Sequence, residues 1–407
     1  MGSCQVDLSD PDVLTDPYPL YRALREAGPV HWTVTPDGGR AWLVTRHDDA
    51  QRLLRDSKLV KDRRTASAAS SGSSPKRRGG RGSIFRHMLD TDPPEHSRLR
   101  GCVHRAFTQK VVNALFPRIE SFARGLIGRF EVSRTVDLVD EYAAPIAVTV
   151  IAELLGVPGG DQARFRTWAE NMTPAGPFGP DQVQQAFMDF SAYFQELVEI
   201  RRRSPADDLL SELLTAAGDS EQLTSEELYS MILFLLIAGH ETSLNSIANG
   251  ILALLGHPEQ LELLRNCPQL LPTAVEELLR FDGPVRVTTS RYLTEPYVLG
   301  DVEMKPRDQV LVLLGSVNRD PAAFDDPESL NISRSSNRHL AFGLGPHFCL
   351  GAQLARAESA IAIASLLQAG EFKLAVEPAQ IHWRPSLFIR GIKHLPVRFS
   401  LYRPVRA

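Results

Sequence analysis

The sequence predicts a mainly α-helical protein with a small β region, an α+β fold. Helical patterns dominate residues 111–203, and an apolar helix with a capping box at its start is expected to run to Leu255. Strand patterns are short and lie near the two chain ends, so we expect small sheets built from N- and C-terminal segments. Nothing in the composition marks a boundary, so residues 1–407 are expected to form a single domain.

Composition excludes several classes of protein. A hydrophobic content of 43%, a charged content of 23% and a net charge of −4 indicate a soluble globular protein without a nucleic-acid partner. The four cysteines are too few and too scattered for a disulfide framework, which favours a cytoplasmic location. Residues 1–10 lack the apolar region of a signal peptide, and the longest apolar run, 231–238, is short of the roughly 20 residues that span a bilayer. We therefore expect no membrane anchor.

The N-terminal elements follow from local patterns. Residues 16–24 form a capped amphipathic helical pattern, and residues 41–45 form a short strand pattern after a Pro-Asp-Gly-Gly turn. Further strand patterns occur at 372–375 and 397–401. Residues 63–86 are rich in Ser, Gly, Ala and Arg, which predicts a mobile loop. Its basic residues are compatible with a nucleic-acid patch, but a solvated loop is the preferred interpretation on an acidic chain.

Two Gly/Pro-rich breaks interrupt the helical region, at 156–160 and at 173–180. The second break separates two helices that carry Trp168, Met172, Phe187, Phe190 and Phe194. These helices could form a lid over an apolar site, but aromatic residues at helical spacing are more often plain core.

A short helix is expected after Pro93 and Pro94, because proline is favoured in the first turn of a helix. His96 and Arg100 are four residues apart and share one face of this helix. From the residues alone, these two side chains are either solvated or positioned to bind an anion.

The long apolar helix contains the stretch Ala238-Gly239-His240-Glu241-Thr242. Glycine inside a helix costs roughly 0.5–1 kcal/mol relative to alanine, so Gly239 requires a reason. The Thr242 hydroxyl can bond the carbonyl oxygen of Ala238 one turn back, which opens a groove where dioxygen and a water can sit. A close contact with another helix is the alternative.

Glu277 and Arg280 are three residues apart on a further helical pattern, where a surface salt bridge is the simplest interpretation. Residues 285–289 then form a strand pattern, and Arg291 follows it.

Cys349 lies in Phe342-Gly343-Leu344-Gly345-Pro346-His347-Phe348-Cys349-Leu350-Gly351, a loop that leads into helix-forming residues. Helix N-terminal amides favour an anion and lower the pKa of a thiol, and the thiolate is the form that ligates metals. One cysteine suits an axial iron ligand better than a zinc site, which needs four ligands. Taken without its loop, Cys349 would more simply be an inert buried cysteine.

Five of these motifs, taken in chain order, resemble those of the cytochrome P450 family. They are His96-x-x-x-Arg100, Ala238 to Thr242, Glu277-x-x-Arg280, Asn318-Arg319-Asp320-Pro321, and Phe342-x-x-Gly345-x-His347-x-Cys349-x-Gly351. The resemblance covers nearly the whole chain and implies the P450 fold, with a helix-rich bulk around a buried haem b.

The resemblance also implies roles for individual residues. Cys349 would be the axial thiolate ligand of the haem iron, with Phe342 shielding the sulfur and Gly345 and Gly351 letting backbone amides approach it. The haem propionates would be contacted by His96, Arg100, Arg291 and His347. In oxygen activation Thr242 would supply a hydrogen bond and Glu241 would relay protons.

Two further sets of residues follow from the same resemblance. Glu277 and Arg280 would form a structural ion pair behind the haem loop with Arg334, although Leu330-Asn331 departs from the usual Phe-Asp. The apolar substrate pocket would lie beneath the 63–86 loop and would be lined by Leu89, Phe234, Ala238, Val287, Phe388 and Ile389.

The implied activity is that of a soluble bacterial-type monooxygenase. It would insert one oxygen atom of O₂ into an apolar secondary metabolite, macrolide, steroid or terpenoid, with electrons from a separate ferredoxin or flavodoxin and its NAD(P)H reductase. Alternatives are an oxidase of the same fold that couples aromatic rings or carbon atoms, and a non-catalytic haem-binding protein.

Overall fold

The computed structural model describes residues 5–8, 10–35, 38–71, 87–131, 134–172, 180–218 and 223–402. Helices account for most of the regular structure in these ranges. The α-helices are α1 Pro11–Thr15, α2 Tyr18–Ala27, α3 His47–Arg55, α4 Arg63–Ser71, α5 Glu95–Ala106, α6 Gln109–Ile127, α7 Ala144–Leu154, α8 Gln162–Asn171, α9 Pro180–Arg203, α10 Leu209–Gly218, α11 Ser225–Leu255, α12 Pro258–Asn266, α13 Leu271–Asp282, α14 Leu314–Val317 and α15 Ala352–Ala369.

The strands of the described residues are short and form three small sheets. They are β1 Gln5–Val6, β2 Val30–Val34, β3 Arg40–Val44, β4 Leu59–Val60, β5 Thr135–Asp137, β6 Arg291–Leu293, β7 Tyr297–Leu299, β8 Val302–Met304, β9 Gln309–Val312, β10 Gly370–Leu374 and β11 Pro396–Leu401. The largest sheet has the order β1-β2-β3-β9-β6-β4, the second has the order β10-β11-β5, and β7 pairs with β8.

The chain divides into two compact units. Unit 1 comprises Met1–Arg78, Ala248–Ala352 and Val376–Leu395, and it contains the six-stranded sheet. One apolar cluster of unit 1 includes Trp42, Leu53, Leu54 and Val310, and a second includes Tyr21, Leu43 and Leu311.

Unit 2 comprises Gly79–Ile247, Gln353–Ala375 and Pro396–Ala407, and it contains the β10-β11-β5 sheet. The side chains of Tyr142, Phe165 and Phe194 are fully buried in its helical core. Phe399 of β11 packs edge-on against Phe130, with ring centroids 5.5 Å apart.

Helix α11 begins and ends where the sequence predicts. The Thr224 backbone N–H donates to Glu227 Oε2 at 2.9 Å, and the Glu227 N–H donates to Thr224 Oγ1 at 3.2 Å, which confirms the capping box. Among the described residues α11 alone is long and apolar enough to cross a bilayer, but 61% of its apolar window is buried inside the protein. It is therefore a core helix.

The strands form small sheets as expected, and the structure adds which strands pair. The N-terminal strand β3 pairs with β9, and the C-terminal strand β11 pairs with β10 and β5. Each set of strands buries its apolar face in a different core, and short strand patterns do not carry the pairing information.

Residues 63–71 form α4, which differs from the loop predicted over 63–86. Alanines in this stretch supply helix propensity, and Ala66 and Ala68 are buried. Residues 72–86 of that prediction lie outside the described residues.

The predicted lid aromatics belong to the core. Trp168, Met172, Phe190 and Phe194 are each at most 5% exposed, and the rings of Phe190 and Phe194 lie 4.5 Å apart. Plain core packing, the alternative left open from the sequence, accounts for these four side chains. Phe187 is partly buried, and the break at 173–179 lies outside the described residues.

Candidate active site

The Cys349 loop of unit 1 is a series of tight turns ahead of α15. Gly343 and Gly345 both have positive φ, at 71° and 78°. The Cys349 N–H donates to the Phe342 carbonyl oxygen at 2.9 Å, and the Phe348 N–H donates to Gly345 at 3.0 Å. The loop presents Cys349 at an exposed position three residues before α15 begins.

Gly345 is required by the backbone that packs against it. A Cβ at this position would lie 2.4 Å from the Leu54 carbonyl oxygen, closer than real Cβ atoms come. By contrast, a Cβ on Gly351 would meet nothing within 4 Å in the described chain. Of these two glycines, only Gly345 is therefore fixed by contacts with the described residues.

A buried polar network holds the start of this loop. The Leu340 N–H donates to Asn318 Oδ1 at 2.7 Å, and the Asn318 carbonyl oxygen accepts from Arg280 Nη1 at 3.0 Å. Arg280 in turn binds both carboxylate oxygens of Glu277, at 2.7 and 2.8 Å. The motif residue Asn318, to which the sequence assigned no role, thus links the Glu277–Arg280 pair to the loop.

The Glu277 side chain is 0% exposed, and its carboxylate accepts hydrogen bonds from four residues. Besides Arg280, it accepts from Arg334 Nε at 3.0 Å, from Asn337 Nδ2 at 3.1 Å and from the Asn331 N–H at 2.9 Å. Arg334 therefore lies beside Glu277 as expected. The departure at Leu330-Asn331 does not disturb the cluster, because Asn331 contacts Glu277 through its backbone N–H and not through its side chain.

The donor set at Cys349 fits a haem iron. Among the described residues, no group of three His, Cys, Asp or Glu side chains close enough to share a metal ion includes Cys349. A zinc site needs about four such ligands, whereas a haem iron needs one protein ligand on the proximal side.

In unit 2, Thr242 of α11 makes the side-chain bond that the sequence predicts. The Thr242 hydroxyl donates to the Ala238 carbonyl oxygen at 2.7 Å. Asn245 Nδ2 makes a similar bond to the Glu241 carbonyl oxygen at 2.8 Å. Two consecutive turns of α11 thus bond side chains to the backbone, and Glu241 and Thr242 are half-buried.

Gly239 also makes the close helix contact that was the alternative explanation. A Cβ on Gly239 would lie 2.4 Å from Cδ1 of Ile151 on α7. The close helix contact is therefore present beside the Thr242–Ala238 bond, and the groove for dioxygen and a water stays a prediction.

His96 and Arg100 lie on α5 of unit 2 as predicted. Burial lowers the pKa of His96, and the charge of Arg100 lowers it further. His96 and Arg100 repel one another when both are charged, so a nearby anion would stabilise the charged pair. Between them on the same helix, Arg98 Nη1 donates to Glu227 Oε2 at 3.1 Å, which joins α5 to the start of α11.

Arg291 begins β6 in unit 1 and is 7% exposed. Its Nη1 donates to the Thr289 carbonyl oxygen at 3.4 Å. Lys61, which the sequence analysis did not single out, donates to Thr289 Oγ1 at 2.6 Å and to the Ser290 carbonyl oxygen at 2.7 Å. Two buried cations therefore flank one short segment.

The six predicted pocket residues fall into two groups. Leu89, Phe234 and Ala238 are partly buried in unit 2, where the Phe234 ring stacks on His87 at 4.5 Å. In unit 1, Phe388 accepts a backbone hydrogen bond from Arg286 at 2.9 Å, and Ile389 pairs with Val285. Val287 is 1% exposed in an apolar core cluster, so its place in a pocket wall stays a prediction.

Sequence reasoning missed Glu358 on α15. Its side chain is 2% exposed, and burial raises its pKa to about 8 against the opposing effect of a hydrogen bond with Ser243. No local pattern marks this residue, because its burial depends on how α15 packs against α11.

Comparison with known proteins agrees with the motifs. A family model described as Cytochrome P450 matches residues 180–394. The chain is 42% identical over 392 residues to the cytochrome P450 monooxygenase PikC of Streptomyces venezuelae, an alignment that covers 95% of this chain and 92% of PikC. The chain belongs to the cytochrome P450 family.

This P450 is similar to other bacterial members over its whole length. It is 38% identical over 405 residues to the 6-deoxyerythronolide B hydroxylase of Saccharopolyspora erythraea, with 97% and 98% of the two chains covered. The solved structure of the Bacillus subtilis polyketide-synthase P450 PksS matches with a TM-score of 0.89 at 36% identity, covering 98% of this chain and all of that one. The P450 fold and the monooxygenase class are thereby confirmed.

Proposed function

We propose that this P450 inserts one oxygen atom of O₂ into an apolar small molecule, by hydroxylation or epoxidation. The substrate class is a secondary metabolite such as a macrolide, steroid or terpenoid. Support comes from the relative named for hydroxylation of 6-deoxyerythronolide B and from the apolar character of the six proposed pocket residues.

Haem b is the proposed cofactor, and it supplies the iron at which dioxygen is activated. Cys349 is its proposed thiolate ligand, and Phe342 shields the sulfur. Cations and imidazoles bind the two propionates, because charge-assisted hydrogen bonds to a carboxylate are the strongest that these side chains make. The proposed contacts are His96, Arg100, Arg291 and His347.

The chain's own residues position and protonate the reactants. Thr242 donates its hydroxyl proton to Ala238, so its oxygen is left to accept a hydrogen bond from a proton-carrying neighbour. Glu241, the residue before it, is the proposed proton relay. The Glu277–Arg280–Asn318 network holds the start of the Cys349 loop in place, and Gly345 lets the loop lie against Leu54.

Electrons come from a separate ferredoxin or flavodoxin with its NAD(P)H reductase, and the protein acts in the cytoplasm. One observation carries the proposal of oxygen activation, namely the 2.7 Å bond from Thr242 to Ala238 in the middle of a core helix. The bond holds the Thr242 side chain on α11 with its oxygen still able to accept a hydrogen bond, which is what a group that guides protonation needs.

Turnover of the haem-loaded protein tests the proposal. The protein is supplied with a surrogate ferredoxin, its reductase and NADPH, together with a macrolactone, a secosteroid or a fatty acid. The probes are 6-deoxyerythronolide B, vitamin D3 and myristic acid, and ¹⁸O₂ labels the product. One ¹⁸O atom per product molecule supports monooxygenation. Coupled product without label supports the oxidase, and spectral binding without any product supports the non-catalytic haem protein.

A further inference from the structure

Helix α11 has one open face in the middle of its length, between the buried turns 230–233 and 243–245. Five side chains on this face share a stripe at the helical spacing i, i+3, i+4, i+7 and i+8. They are Phe234, Ile237, Ala238, Glu241 and Thr242, of which Ile237 is 37% exposed and the others are partly exposed. A large apolar side chain this exposed on a core helix indicates a surface that binds an apolar molecule.

The stripe has an apolar end and a reactive end. Phe234, Ile237 and Ala238 supply apolar surface, whereas Glu241 and Thr242 are the proposed oxygen-activating pair. Phe234 and Thr242 are eight residues apart, about 12 Å at the rise of an α-helix. A substrate that lies along the stripe with its oxidised carbon at Thr242 therefore has its other end beside Phe234.

An imidazole lies at the apolar end of the stripe. The His87 ring stacks on Phe234, with ring centroids 4.5 Å apart and an angle of 26° between the rings. His87 directly precedes the 3-10 turn Met88–Asp90, and its side chain is 16% exposed. A phenyl ring stacks on Phe234 equally well, so what histidine adds at this position is two nitrogens that bind polar groups.

The two ring nitrogens of His87 have different surroundings. Nε2 lies 3.6 Å from Oδ2 of Asp90, whose side chain is 57% exposed. Nδ1 is buried. A neighbouring carboxylate favours the charged imidazolium, in which both nitrogens are donors. Nδ1 is therefore placed to donate to an acceptor inside the protein.

We propose that His87 binds an anionic carboxylate at the end of the substrate remote from the oxidised carbon. The Nδ1–H donates to the carboxylate, and this charge-assisted hydrogen bond is stronger than one to a neutral oxygen. The role rests on the proposed oxygen insertion and deepens it, because it names an amphipathic substrate with an acid at one end. His87 contacts the substrate and no reacting atom, so it determines specificity and the position of oxidation.

Other titratable and charged groups lie on the elements that neighbour His87. Besides Asp90 they are Asp92, Glu95, His96, Arg98 and Arg100 before and on α5, which packs on the 3-10 turn, and Glu241 on α11. Burial and the charge of Arg100 lower the pKa of His96. Because His96 titrates as well, a pH effect is assigned to His87 by variants rather than by pH alone.

Spectral binding titrations of the haem-loaded protein test the contact. The probes are myristic acid, its methyl ester and tetradecyltrimethylammonium, which share one chain and differ in the charge of the end group. At pH 6 the acid is expected to bind about tenfold more tightly than the ester, as a hydrogen bond between charged groups requires. This advantage is expected to shrink above pH 8, because a histidine loses its charge there.

His87→Phe separates recognition from packing, because phenylalanine keeps the stack on Phe234 and has no ring nitrogen. This variant is expected to bind the ester as the wild type does and the acid about tenfold more weakly, without the pH dependence. His104→Phe is the matched control, since it removes an exposed histidine from α5, and it should leave both affinities unchanged. If His87→Phe does not fold, His87→Gln, which keeps a donor but carries no charge, is expected to lose the pH dependence.

The products of saturated fatty acids with 12, 14 and 16 carbon atoms test the distance. An extended chain advances about 1.2 Å per bond, so about 12 Å corresponds to roughly ten bonds between the carboxyl carbon and the oxidised carbon. The oxidised position, counted from the carboxyl end, is expected to be the same in all three acids and to spread over several carbons in His87→Phe. A position that is constant from the methyl end instead means that the opposite end of the chain is held, and it overturns the proposal.

Binding results can overturn the proposal as well. They do so if the wild type binds acid and ester equally, binds the ammonium probe more tightly than the acid, or binds none of the three probes. An unchanged preference for the acid in His87→Phe also overturns it. Binding with the expected preference but without any oxidised product supports the carboxylate contact and contradicts the proposed oxygen insertion, so the two failures are distinguishable.

Discussion

A single hydroxyl group carries the oxygen-activation argument at the scale of residues. The Thr242 hydroxyl has a single proton to donate, and in the structure it donates this proton to the carbonyl oxygen of Ala238. This bond could be predicted from sequence because residues four apart on a helix are always neighbours. The burial of Glu358 could not, because it arises from a contact between residues more than a hundred positions apart.

Removing the Thr242 hydroxyl should separate electron uptake from product formation. Thr242→Ala is expected to keep NADPH consumption while product per electron falls about tenfold and peroxide release rises, because a hydrogen bond that guides protonation is lost. Thr242→Ser keeps the hydroxyl and should retain most of the coupling. Unchanged coupling in Thr242→Ala removes this residue from the mechanism.

The buried Glu358 should make stability depend on pH. Its pKa is about 8 in the folded protein, against a reference value of 4.5, so between these limits the folded state holds a proton that the unfolded state releases. Folded stability therefore falls as pH rises through this window and levels off above it.

Glu358→Gln removes this titration. Relative to the wild type, the variant's free energy of unfolding is expected to rise between pH 5 and pH 9, by up to about 5 kcal/mol at about 1.4 kcal/mol per pKa unit. Urea unfolding at pH 5, 7 and 9 measures this difference. Parallel pH profiles for the two proteins would show that Glu358 ionises normally.

At the scale of elements, the Cys349 loop is shaped by one close backbone approach. The Leu54 carbonyl oxygen lies 2.4 Å from where a Cβ on Gly345 would be, whereas a Cβ on Gly351 would meet nothing in the described chain. Both glycines are fixed positions of the Cys349 loop motif, so the sequence alone does not distinguish them. Only the structure separates them, because the Leu54 backbone comes from a distant part of unit 1.

Gly345→Ala should therefore destabilise the protein by about 2–4 kcal/mol, from a residue forced to positive φ and from the clash with the Leu54 carbonyl oxygen. Gly351→Ala should change the free energy of unfolding by less than about 1 kcal/mol. Denaturant unfolding of the two variants measures the contrast. Equal losses would place the cause outside the Leu54 contact.

The Glu277 cluster is the second element-scale feature with a measurable consequence. Glu277→Gln keeps the side-chain size but leaves buried Arg280 and partly buried Arg334 without their carboxylate, which should cost about 3–5 kcal/mol. The adjacent Glu276, 29% exposed and 3.2 Å from His339 Nε2, provides the control. Glu276→Gln should cost less than about 1 kcal/mol, and a similar loss in both variants would contradict a buried-charge origin.

At the scale of the whole molecule, the order of five motifs predicted the fold family more securely than local patterns predicted the sheets. Helix α11 and its capping box could be predicted directly from the sequence, because both depend on residues that are close together in the chain. The parallel pairing of β3 with β9 joins residues such as Leu43 and Leu311, and nothing in either strand's sequence names its partner. For the same reason the sequence did not specify which strands pair in the β10-β11-β5 sheet.

The absorption spectrum of the reduced carbonyl complex tests the central claim most directly, namely that Cys349 ligates a haem iron. Haem-loaded wild type is expected to give the strongly red-shifted Soret band of a thiolate-bound iron, and Cys349→Ser is expected to lose it. Cys267→Ser, which changes a free cysteine outside the loop, should keep the band. Persistence of the red-shifted band in Cys349→Ser, or its absence from wild type loaded with haem, would contradict this account.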